Sequence, residues 1–204
     1  DLQGTGRSPV ALIGALRGDG TFTVQDGQIM RVDPSVFAAV IRNVDDGLAI
    51  DAVRIRDRTE AALGNGGLDV ALAQGEITVA AGQLRLANTA IRAKGAELGV
   101  TLGLDLSGSV IDARLVLSGV PGSGALEGIR PEIALALRGP FDAPKRTLDV
   151  AAFTSWLSLR AIEEKDKRID ALQSGREVPV PPATPVQPLK QTPAVAPTPD
   201  KVAP

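Results

Sequence analysis

Between Leu68 and Arg138 the apolar residues fall on alternate positions. Leu98, Val100, Leu102, Leu104 and Leu106 alternate with Gly99, Thr101, Gly103 and Asp105. After Ser107-Gly108-Ser109 the pattern returns as Ile111, Ala113, Leu115 and Leu117, with Asp112 and Arg114 between them. Upstream, Ile77 and Val79 lead to Ala81-Gly82, then come Leu84 and Leu86, and beyond Asn88 follow Ile91, Ala93 and Gly95. Ile133, Leu135 and Leu137 form the last such run. A period of two with turn residues at each end predicts strands joined as an antiparallel meander. One face is aliphatic and the other small and polar, so the sheet is half-buried. A slip of one residue would turn every leucine to water, which fixes the register firmly.

Before this region, residues 9–32 read as a small set of short strands. Val10, Leu12 and Leu16 precede a turn at Gly18-Asp19-Gly20, and Thr21–Val24 precedes another at Gln25-Asp26-Gly27. The period then changes. Asp33 as N-cap and Pro34 at the first helical position open a helix carrying Val36, Phe37, Val40, Ile41 and Val44, and Gly47 ends it. A second helix is predicted from about Asp51 to Leu63, stopped by Gly64-Asn65-Gly66-Gly67. Its Arg54, Arg56 and Arg58 are interleaved with Asp51, Asp57 and Glu60, the pattern of a solvated face.

At the other end, Gly139-Pro140 and Asp142-Ala143-Pro144 lead into a last helix from Asp149. Phe153, Trp156 and Leu157 share one face of it and are predicted to dock on the sheet. Beyond Ile162 it turns charged and is expected to extend into solvent, with Glu163–Lys167 and Glu164–Arg168 as pairs. The predicted class is therefore α+β: mainly an antiparallel β-meander, curled like a groove or a sandwich, with two or three helices. Residues 1–148 form the β-rich part, with a helical insert at about 34–63. Residues 149–175 form the amphipathic helix. Residues 176–204 form a proline-rich tail expected to be disordered and locally polyproline II, because nine of the chain's 15 prolines lie there and forbid helix or ladder.

Composition narrows the chemistry. Hydrophobic residues make up 44% of the 204 and aromatic residues 2%, so the core must be aliphatic. A net charge of −2 leaves no basic field, and the scarcity of aromatics leaves no stacking platform, so nucleic acid is not an expected partner. The chain has no His, no Cys and no Tyr, which removes the commonest general base, the tunable nucleophile and the usual zinc ligands. Asp45-Asp46 sits at a helix end. Ser118-Gly119 and Ser123-Gly124 are turn residues with no histidine to activate a hydroxyl. Gly64-Asn65-Gly66-Gly67 closes a helix where a phosphate loop would open one, and no lysine follows it. No catalytic residue, cofactor or metal is expected, and the reading is that of a non-enzyme. No run approaches the roughly 18 apolar residues of a membrane span. The opening DLQGTGRSP reads as linker or strand edge, so the sequence is expected to be a fragment.

Two passages carry a family resemblance. One is GDGTFTVQDGQIMRVDPSVFAAVIR, a strand turn at Gly18–Gly27 followed by the Asp33-Pro34 helix. The other is LRGPFDAPKRTLDVAAFTSWLSLRAIEEKDKRI, where a strand, Gly-Pro and Arg-Thr-Leu-Asp lead to a Trp-Leu helix. Together they resemble the C-terminal region of AsmA family proteins of Gram-negative bacteria, over residues 10–172. The alanine- and arginine-rich style suggests an alphaproteobacterial member. The resemblance implies an envelope protein in the periplasm, tethered to the inner membrane by an N-terminal anchor absent here. It also implies kinship with TamB- and YhdP-type bridge-like lipid-transfer proteins, whose curled sheets offer phospholipid acyl chains an apolar groove, and a role in outer-membrane assembly. The family brings no catalytic residues.

The candidate functional surface is the aliphatic face: Leu98, Val100, Leu102, Leu104, Leu106, Leu115, Leu117, Ile133, Leu135 and Leu137. Helices are too few to cover so many strands, which leaves room for a lipid. A fully closed core remains equally open at this point. The rival function is a structural cap whose last helix and tail recruit envelope or outer-membrane assembly proteins.

Overall fold

A half-buried sheet needs its apolar side chains in phase from strand to strand, and the strand pairing supplies that phase. The structure, a computed structural model, describes residues 1–121 and 126–173. Eight strands lie side by side in chain order in one antiparallel sheet: β1 (Leu2–Gln3), β2 (Arg17–Met30), β3 (Gly67–Ala80), β4 (Gln83–Ala93), β5 (Ala96–Asp105), β6 (Val110–Ser118), β7 (Glu132–Pro140) and β8 (Lys145–Asp149). Four helices accompany them: α1 (Pro9–Gly14), α2 (Val36–Asp45), α3 (Ala52–Leu63) and α4 (Ala151–Gln173). The α+β class and the meander are thus as the alternation indicates. The chain divides into two units, Asp1–Asp166 and Lys167–Pro204. Of the second, the described part is Lys167–Gln173, the end of α4. The expected tail and the Ser123-Gly124 turn lie outside the described residues.

Helices α2, α3 and α4 each bury one stripe. Val36, Phe37 and Val40 on α2, Ile55, Thr59, Ala62 and Leu63 on α3, and Phe153, Trp156 and Leu157 on α4 recur at three- and four-residue spacing and are all buried. Phe153 is fully enclosed and meets Phe37 edge-on, with ring centroids 5.2 Å apart. The Trp156 ring follows at 6.4 Å, and its indole N–H donates to the Ile129 carbonyl at 3.3 Å. Arg160 clamps α4 to α2 by donating to both oxygens of Asp45, at 2.6 and 3.2 Å, a fork that holds the guanidinium still more firmly protonated. Glu60 on α3 pairs with Arg146 of β8, and Arg146 also donates to the Arg31 carbonyl at 3.4 Å. Phe153, Trp156 and Leu157 share one buried cluster with Leu98, Leu117 and Ile133 of the sheet.

The amino-terminal reading needs correction. Residues 9–14 are helical: Ser8 is the N-cap, its hydroxyl accepting from the Ala11 N–H at 3.2 Å, and Pro9 occupies the first turn. Gly18-Asp19-Gly20 and Gln25-Asp26-Gly27 are not turns between short strands but interior positions of the single strand β2. At Gly18 a Cβ would fall on the Asp1 carbonyl, so glycine there admits β1. Asp33 does not cap α2 directly. Its side chain accepts from the Ser35 N–H at 2.8 Å in a turn, and the helix begins at Val36. Asp51 caps α3, accepting from the N–H groups of Val53 and Arg54. Lys145–Asp149, read as a lead-in to the last helix, forms β8 on the edge of β7.

Deleting the Phe153 ring should cost about 3–5 kcal/mol, the usual range for phenylalanine to alanine in a core. Leu159→Ala, on the exposed side of α4, should stay within about 0.5 kcal/mol. Denaturant unfolding followed by the single tryptophan, Trp156, measures both; equal losses would contradict this account of α4 docking.

Candidate functional site

The inner face of the sheet is built from cross-strand rungs. The first joins Ile91, Leu98, Leu117 and Ile133, all buried. The second joins Thr89, Val100, Leu115, Leu135 and Leu148, of which Thr89 and Leu135 are buried and the rest half-buried. The third joins Leu86, Leu102, Ala113, Leu137 and Arg146. The fourth joins Leu84, Leu104, Ile111 and Gly139, all half-buried. A one-residue bulge between Leu86 and Thr89 restores the phase on β4, so that Ile91 and not Ala90 points with Leu98. Among the ten predicted face residues, Leu98, Leu117, Ile133 and Leu135 are at most 2% exposed and belong to the core under the helices. Val100, Leu102, Leu104, Leu106, Leu115 and Leu137 are half-buried. The face is therefore sealed at one end and progressively uncovered toward the other.

At the uncovered end the track runs into a cavity of about 170 Å³ lined by Leu104, Asp105, Leu106, Ser109 and Phe141. Phe141 is 62% exposed there, and its N–H donates to the Ser109 carbonyl at 2.8 Å. Asp105 shapes the turn, accepting from the N–H groups of Ser107 at 2.9 Å and Gly108 at 3.0 Å. Those two donors hold its carboxyl below the ordinary value of 3.8.

A different opening lies where β3 and β4 part. They pair only over Ile77–Ala80 and Gln83–Leu86, while β2–β3 and β4–β5 stay paired further down. Gly75 marks the apex: a Cβ there would sit 2.8 Å from the Thr89 hydroxyl and against the Phe22 ring. A cavity of about 740 Å³ spans the split, with Gln28 and Asp69 on one wall and Arg92 and Lys94 on the other. The split was not foreseen; its signal is the change of inner face along β2 and β3. Phe22 beside the apex and Ala73 just past it point inward, as do Ile29, Leu68 and Val70 further along, and Asp26 lies between with a left-handed backbone, φ 50°.

Among the described residues the polar side chains along the apolar track are few, chiefly Thr89, Arg146 and Asp105, and each is engaged locally. Thr89 turns its hydroxyl onto the Ala87 carbonyl at 3.0 Å, and the Thr59 hydroxyl of α3 is buried without a partner. Charges occupy the outer face, where Arg138 meets Asp112 at 3.2 Å, and Arg130 lies 3.2 Å from Glu97. Among the described residues no group of three potential metal ligands clusters, and no helix is long and apolar enough to cross a membrane. Asp45 is spent on Arg160, and Arg54 pairs with Asp51 at 3.4 Å while Arg56 and Arg58 are exposed. What the fold offers is an antiparallel meander with an aliphatic inner face, sealed at one end. No family model, no curated protein and no solved structure matches the chain.

Because its folded-state pKa is depressed, Asp105 adds stability to the turn above its unfolded pKa, and this is lost as pH falls through the folded value. Carboxyl titration by NMR should place Asp105 below the ordinary value of 3.8, and the Ser107 and Gly108 amides should begin to exchange faster only at that lower pH. Asp105 titrating at or above the ordinary value would refute the cap.

Proposed function

We propose that this chain is a non-enzymatic, AsmA-like domain of a periplasmic protein tethered to the inner membrane, and that its uncovered inner face holds phospholipid acyl chains during transport and outer-membrane assembly. One observation carries the reading: Leu102, Leu104, Leu106 and Leu137 stand half-buried on an aliphatic track that is sealed at the Leu98 end. Acyl chains satisfy such a surface without hydrogen bonds, whereas a small-molecule enzyme pocket needs convergent polar groups. A photoreactive residue at Leu102 or Leu104 in Gram-negative cells should form adducts with phospholipid, and one at Leu98 or Ile133 should form none. Absence of adducts at both open positions would end the groove reading.

A second reading, a capping and interaction module for envelope assembly proteins, has its own observation. Leu159 and Ile162 on α4 are both at least half exposed, and helical geometry turns them away from the buried Phe153–Trp156–Leu157 stripe. Leu159→Glu with Ile162→Glu should strip bound envelope proteins from affinity-purified chain while leaving Trp156 fluorescence unchanged. If the variant keeps the same partners as a chain truncated at residue 173, neither this stripe nor the tail recruits them.

A further inference from the structure

The parting of β3 from β4 leaves main-chain groups facing each other inside one sheet. Ala80 and Gln83 pair across the two-residue turn Ala81-Gly82, which makes them, and Thr78 with Arg85, hydrogen-bonded pairs. With a period of two, the N–H and C=O groups of Gln74 and Leu72 point to that same side, toward β4. No strand pairs with them there among the described residues, because the β3–β4 ladder stops at Ile77 and Leu86. The phase across the gap comes from the next hairpin. Ala93 and Ala96 pair across Lys94-Gly95, so Ala93, Ile91 and Thr89 bond to β5. Ala90 and Arg92 therefore aim their main-chain groups at the gap. Each wall is held from behind, β3 by β2 as far as Gly67 and β4 by β5 as far as Ala93.

The side chains around the gap are those of a sheet position. Inward, Val70 and Ala73 on β3 and Thr89 and Ile91 on β4 are buried. Outward, the cavity of about 740 Å³ has Asp69 on one wall and Arg92 and Lys94 on the other, all exposed. No ion pair joins the two walls among the described residues. We propose that the gap seats an extended segment of a partner protein, which completes the sheet by pairing with β3 on one side and β4 on the other. The segment is about six residues long, the span of Asp69–Gln74, and runs parallel to one wall and antiparallel to the other. Its side chains alternate, small and aliphatic toward the buried face, polar or charged between Asp69 and Arg92. Two walls of main-chain groups require a strand with both edges free. A second copy fits less well, since every described strand already uses at least one edge in its own sheet. The chain's own tail fits no better. From Pro179 to Pro204 no proline-free run exceeds four residues, and proline removes a ladder bond from a strand paired on both sides. The pairing is independent of any lipid on the apolar track.

The test is amide exchange on the full chain titrated with the peptide acetyl-Lys-Val-Thr-Val-Glu-Val-amide, with acetyl-Lys-Val-Pro-Val-Glu-Val-amide as control. At about a tenfold excess of free peptide over its dissociation constant, the Leu72, Gln74, Ala90 and Arg92 amides should all exchange about tenfold more slowly. The control should slow none of them, and Trp156 emission should report an intact core throughout. Slowing at one wall only, slowing elsewhere on the sheet, or no slowing with either peptide overturns the proposal. So does protection of these four amides in the free chain. Protection independent of concentration means that β3 and β4 pair throughout, and protection that grows with concentration means a second copy in the gap. Protection lost on truncation after Gln173 means that the tail fills it.

Discussion

The rung Ile91–Leu98–Leu117–Ile133 is the constraint on which the other features depend. It is the one place where four strands each bring an aliphatic side chain to the same level and all four are buried. Each such side chain contributes about 1.5–3 kcal/mol when removed from water, and Ile91 joins the other three only through the phase correction at the β4 bulge. Phe37 and Phe153, in contact with each other, belong to the same core cluster, so α2 and α4 are both committed to this level of the sheet. The Asp45–Arg160 fork then locks the two helices together at the rim, where solvent would otherwise loosen them.

The strands of the second half were legible because two independent signals agreed there. Alternation over β5, β6 and β7 is nearly unbroken, and the β5–β6 turn carries Ser107, Gly108 and Ser109 where a tight loop needs them. In the amino-terminal part the signals conflicted. Glycines at Gly18, Gly20 and Gly27 read as turns, but inside β2 they answer other needs, Gly18 making room for the Asp1 carbonyl. Ser8-Pro9 is the same kind of helix-start signature that was read at Asp33-Pro34, yet six residues rich in valine, leucine and isoleucine looked like a strand. β8 has a single apolar residue, Leu148, and a proline just before it; only pairing with β7, a tertiary effect, makes it a strand.

For the candidate surface, alternation identified the face but could not divide it. Which leucines are sealed depends on how far the helices reach. A ten-residue helix such as α2 spans about 15 Å, whereas a ten-residue strand such as β5 spans about 33 Å. α2 cannot cover β5 from end to end, and α4 buries Phe153, Trp156 and Leu157, all near its start. The mismatch leaves Leu98 enclosed and Leu104 half-buried on the same strand, a distinction no local pattern contains.

The parting of β3 from β4 explains how the sealed end is achieved without closing the sheet. If those strands stayed paired throughout, β2 would be held in line with the rest of the sheet. Released below Ile77, β2 and β3 exchange their inward faces at Asp26 and present Ile29, Leu68 and Val70 to the helices. The end of β2 is then near enough to β8 for Arg146 to reach both the Arg31 carbonyl and Glu60. Closure at that level is thus made by side chains and helices and not by a strand ladder. Above the parting, β2 to β8 remain paired in order, and no comparable bridge across the open side is found among the described residues. The same device that completes the core at one end therefore leaves the apolar track uncovered at the other.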